Sequence, residues 1–344
     1  MTAVFLLLAG ASAQEPTHAG QSPSPLQGLT LPSTVTPFEF HSDFWINLHH
    51  FLYQQTLLDG AGKGQIAGSV VSLSAGDRLI WDQALAFYRG SMQGRDLLFD
   101  PRMVAIDSAL AEDEKATSVG GPDLGTDLAK VLNEAAPIYR KYWWPTHDTA
   151  NRFWIVTAEP LVHTCGTLLL NQLAGAYQTQ WHSGSMRVDV TVYANWAGAY
   201  TPTVDPGHIL IASTDSRNQG FAALEILFHE ASHTIVSPNE GRIGQALAAA
   251  AKASNSAMPP DLWHALIFYT TGEFTRRDLS NLGVNDYEPY ADRNGLWRGS
   301  WRDYRSALSL FWRKHLDDKL SIEEAVSKTV DALTTGTAAP PRQQ

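Results

Sequence analysis

Cysteine is almost missing from this chain. Its 344 residues include one, Cys165, so no internal disulfide is possible and the core must hold by packing alone. That residue leads into Leu168-Leu169-Leu170, the setting of a buried, unreactive thiol. Basic residues are in deficit as well: 25 Lys and Arg against 35 Asp and Glu give a formal net charge of -10. No block of like charge stands out, so there is no basic surface for nucleic acid to bind through its phosphates. Beyond the N-terminus no uninterrupted apolar run reaches the length of a membrane span, and no internal repeat is visible. The Gly120–Gly125 stretch lacks the Lys-Ser/Thr pair that would make it a phosphate cradle.

What remains is ordinary globular material, 44% hydrophobic and 17% charged, with eleven tryptophans. Met1 to Ala13 runs from an apolar stretch into Ala-Ser-Ala, the pattern of a signal peptide, although nothing basic precedes it. The chain is therefore expected to be exported, periplasmic or secreted. Residues 14–37 are rich in Pro, Ser, Thr, Gln and Gly and read as a flexible leader, and 336–344 as a disordered tail. The intervening 38–335 reads as one catalytic domain, with a helical part over 38–180 and a further part over 181–335.

Apolar spacings of three and four predict helices over 43–58, 77–91, 126–143 and 147–158, with Pro137 kinking or splitting the third and Pro145 and Pro160 supplying breaks. Val188–Tyr193 alternates and is β-branched, and Gly207–Ser213 is an apolar run after Pro206, so both read as strands. Helices follow over 219–237, from Trp263 to Phe274 behind a cap at Asp261, and after the Ser321/Glu324 capping box. The expected fold class is α+β, predominantly α, with a small sheet just before the helix that carries the chemistry.

That helix contains His229-Glu230-Ala231-Ser232-His233. Two histidines four apart lie one turn above the other, so both imidazoles can meet one cation at Zn–N distances of about 2.0–2.1 Å. Glu230 is rotated by about 100° from His229 and reaches water beside a metal rather than the metal itself.

A His-Glu-x-x-His helix preceded by a strand resembles the zincin metallopeptidases over roughly Val188 to His233 and one later helix. The resemblance implies Zn2+ as cofactor, His229 and His233 as ligands, Glu230 as general base, and a peptide or protein as substrate. Val236 and Asn239 stand where metzincins carry glycine and a third histidine, so that pattern fails. Gluzincins take a later glutamate, which points to Glu273. It shares a stripe with Leu262, Leu266 and Tyr269, where a carboxylate needs a partner. His264 is the rival third ligand or a stabiliser of the transition state, and Glu240 is a weaker choice. Tyr269, Tyr287 and Tyr290 are further candidate oxyanion donors, and strand 207–213 is a candidate edge for pairing with an extended substrate.

Two other readings stay open: a zinc hydrolase of a non-peptide bond, and a secreted binding protein without metal catalysis. His49-His50 lies in an aromatic-rich helix and reads as a core pair. The tryptophans at 143–144 and 297–301 read as core before they read as groove walls.

Overall fold

The computed structural model describes residues 37–60 and 71–336. The readings for 1–13, and for nearly all of 14–37 and 336–344, fall outside those residues. The architecture is mostly helical α+β, built around a four-stranded mixed sheet in the order β1-β2-β4-β3. Strand β1 (Phe38–His41) runs parallel to β2 (Met186–Thr191), which runs parallel to β4 (Gly207–Ala212). Strand β3 (Ala199–Val204) closes the far side antiparallel to β4.

Helices cover both faces of the sheet. Val188, Val190, Ile209 and Ile211 point into one core, and Tyr200, Leu210 and Ala212 into another. Burial on both faces explains why Ile209-Leu210-Ile211 is a continuous apolar run. On the second face lie α1 (Phe44–Gly60), α2 (Ala75–Ser91), α3 (Pro101–Glu112) and α4 (Thr126–Tyr142). On the first lie α5 (Trp144–Tyr177), α6 (Phe221–Ser232), α7 (Gly241–Ala253) and α8 (Leu262–Asn281). After α8 come the short α9 (Tyr290–Arg293) and a helical run of α10 (Tyr304–Ala307), a π-helical turn over Leu308–Trp312 and α11 (Arg313–Leu316). Helix α12 (Ile322–Thr335) ends the described chain, and its Ser321/Glu324 capping box is formed.

Several expectations are corrected. Pro137 does not split α4, and Pro160 does not end α5, which continues for 34 residues. Pro160 is exposed, so the carbonyl it leaves unpaired one turn earlier can meet water. By length and composition α5 could cross a membrane. Its Trp154, Val162, Cys165, Leu169 and Leu173 are nonetheless buried in the first core. Helix α6 stops at Ser232, and the chain turns through His233 to Val236 on short-range bonds such as Thr234 N–H to Ala231 C=O. Asp261 stands at the N-cap of α8 but is left-handed and makes no side-chain capping bond. Strand 207–213 is not the sheet's edge, because β3 pairs along it on the open side.

Candidate metal centre

Helix α6 is buried along almost its whole length, and two of its polar groups are not at the metal-binding face. Ser232 turns its hydroxyl back to the Phe228 carbonyl. Glu225, one turn before His229, accepts the Tyr287 hydroxyl at 2.6 Å and the Tyr290 backbone N–H at 2.9 Å on one oxygen. Its other oxygen is buried without a partner. It packs where a Cβ on Gly272 would come to 2.9 Å, so the glycine on α8 makes room for the carboxylate. Burial raises this acid to about 7, against the pull of the Tyr287 and Tyr290 bonds.

The other two turns of α6 meet the start of α8. His229 Nε2 lies 3.1 Å from His264 Nε2 and 3.3 Å from His233 Nε2. Phe268 stacks on the His229 ring at 3.6 Å and fixes its plane. These contacts cannot all be hydrogen bonds. One ring nitrogen either donates or accepts in its plane, so His229 Nε2 can satisfy one neighbour and leaves the other facing it unpaired. A metal ion would resolve the conflict. Four tetrahedral donors about 2.0–2.1 Å from zinc stand roughly 3.3–3.4 Å from one another, close to the observed spacings. Among the described residues this is the group that could hold a metal ion.

The electrostatics suit a cation bound by lone pairs. Burial lowers His233 to about 3 and His264 to about 4, and pushes His229 well below its ordinary value, helped by its two neighbours. All three imidazoles are therefore neutral at neutral pH. Glu230 is 5% exposed and is raised by burial to about 8, with the Thr201 hydroxyl pulling the other way. Thr201 lies 2.9 Å from both the Glu230 carbonyl and its Oε2. It reaches α6 because β3 carries an irregularity in register between Tyr200 and Thr203, a bulge that re-aims the side chain.

Glu273 is not with the histidines. It lies nine residues beyond His264 on α8, about 13 Å of helical rise. There it accepts hydrogen bonds from Arg276 at 2.9 Å and Arg277 at 2.7 Å. Burial opposes ionisation of Glu273, but those bonds outweigh it and hold the acid below its ordinary value. The partner its stripe demanded is a pair of arginines rather than a cation. Burial raises the Tyr269 phenol, with Ser309 opposing and Glu273 adding, and Glu240 is exposed at the start of α7. Tyr287 is occupied by Glu225. Tyr290 stacks on Phe268, and its phenol is raised to about 12 by burial, with Arg217 opposing and Asp215 and Glu230 adding.

Reasoning from sequence alone missed Thr201 and Glu225. Glu225 carried a signal, since it is the one acid in Ala222–Phe228. The pocket of about 360 Å³ lined by Phe40, His41, Glu159 and His163 shares no residue with the triad. Comparison with family models, curated proteins and solved structures returned no match.

Proposed function

We propose that this protein is a zinc-dependent hydrolase and that it cleaves peptide bonds. The observation that carries the reading is the convergence of three neutral imidazole nitrogens beside a buried carboxylate, Glu230. His229, His233 and His264 would hold the ion, a three-histidine set that leaves a position open. Bound zinc supplies Lewis acidity, which polarises a carbonyl and eases deprotonation of water. A cation held by the histidines would favour the ionised form of Glu230, which would then take the proton of the attacking water and pass it to the leaving amine. Thr201 keeps that carboxyl in place from the β3 side.

The choice of a peptide rests on β3. It is one of the sheet's two edge strands, it runs beside α6, and an extended chain can add to a strand edge through backbone hydrogen bonds. Pro202 lacks an N–H and confines that pairing to the residues around it.

The test is cleavage of casein and of a mixed peptide library by the zinc-loaded chain. Glu230→Gln should keep its zinc and lose activity by roughly 100-fold or more. Zinc-loaded wild type that leaves peptides intact while hydrolysing simple esters or phosphate esters would move the reading to a non-peptide bond.

A further inference from the structure

Two indole rings pack against the three histidines. Trp263 lies 5.5 Å from His233 and 5.3 Å from His264, nearly parallel to the latter at 25°. Trp301 stands edge-on to His264 at 5.5 Å and 6.1 Å from Phe268. In the same core Trp154 and Trp312 are 0% exposed. Trp263 and Trp301 are only partly buried, although they pack on the same core and touch the same histidine. Both rings therefore keep some exposed surface while they contact His264.

The side on which Glu230 lies is different, with the Thr201 hydroxyl, the Tyr290 phenol and the paired Arg217 and Asp215. A substrate between the two sides meets polar groups on one and aromatic faces on the other. Aromatic faces reward apolar and aromatic side chains through area and offset or edge contacts. An acidic side chain against the indoles would lose water and meet the negative faces of the rings.

We infer that Trp263 and Trp301 are specificity-determining residues, and that they select peptides with a bulky apolar or aromatic side chain next to the cleaved bond. The inference rests on the peptidase reading and deepens it. Binding of phenylalanine hydroxamate and aspartate hydroxamate to the zinc-loaded chain, with zinc content measured on each sample, separates the two. The phenylalanine probe should bind at least about tenfold more tightly. Trp263→Leu combined with Trp301→Leu should cut that ratio to below about threefold with zinc content unchanged. Should the double variant lose its zinc, Trp301→Phe, which keeps a ring, must keep the preference while Trp301→Leu lowers it. Equal binding of the two probes to wild type, or a ratio that survives loss of both indoles, would overturn the inference. So would an N-acetylglucosamine oligomer that binds more tightly than the phenylalanine probe. Absence of zinc from wild type defeats the metal reading instead. The wall is then judged on the metal-free chain by tryptophan fluorescence, where blocked Phe-Phe must still bind in preference to blocked Asp-Asp.

Discussion

Two groups of histidines in this molecule, His49 with His50 and His229 with His233 and His264, differ in chemistry. His49 and His50 on α1 are fully buried, as is His229 to within 1%, and both sites sit among aromatic rings. The α1 pair, however, has been given protein partners. His49 Nδ1 lies 2.7 Å from the Tyr88 hydroxyl, and His50 reaches the Tyr193 carbonyl at 2.7 Å and Asp107 at 3.0 Å. Asp107 also accepts the Tyr200 hydroxyl at 2.8 Å, which ties α3 to β3. Only His49 Nε2 is left without a hydrogen bond, 4.0 Å from Asp107. In the α6–α8 group the Nε2 atoms face one another instead, and among the described residues no acid, carbonyl or hydroxyl bonds them. A buried histidine is structural when its nitrogens are spent on protein groups, and open to a metal when they converge.

The comparison can be broken most forcefully at Asp107. Asp107→Ala leaves His50 buried without its counter-group and should cost about 3–5 kcal/mol in a urea titration. Zinc content should not change, and a loss of zinc there would merge the two sites. Next in size is Glu225→Gln, which probes the turn before the triad. The folded-state value of this acid is raised to about 7 from 4.5, so the folded chain binds more protons than the unfolded one in that window. Wild-type stability from this group is present below pH 4.5 and lost as pH rises through about 7. The variant should therefore gain on wild type across that range by a quantity on the order of 3 kcal/mol. A pH-independent difference would place the cost elsewhere. The smallest effect is expected from His264→Phe measured in chelator. No hydrogen-bonded protein partner outside the triad is lost and an apolar ring replaces a polar one, so stability should move by less than about 1.5 kcal/mol. A much larger loss would make the triad structural, like the α1 pair.

Much of this was legible in the sequence, for reasons that differ by element. The strand over 188–193, the α6 motif and the α12 capping box carry local signals, and each is present within a few residues. Strand β3 was invisible because Ala199–Val204 includes Pro202, a residue that only an edge strand or a bulge tolerates. Short β1 was hidden in Phe38-Glu39-Phe40-His41, where four residues set no period. The continuation of α5 through Pro160 depends on that residue facing solvent, a fact of tertiary structure. At the site, the spacing of His229 and His233 is a local property and could be read directly. The choice between His264 and Glu273 could not. Both lie on α8, and what separates them is how α8 crosses α6 and that Arg276 and Arg277 flank the glutamate.

The most direct test is the zinc content of the purified chain by mass spectrometry, for wild type, His264→Ala and Glu273→Ala. The account predicts about one zinc per chain in wild type, none in His264→Ala and an unchanged value in Glu273→Ala. Wild type that takes up no zinc on add-back, or zinc that survives in His264→Ala and is lost in Glu273→Ala, would contradict it.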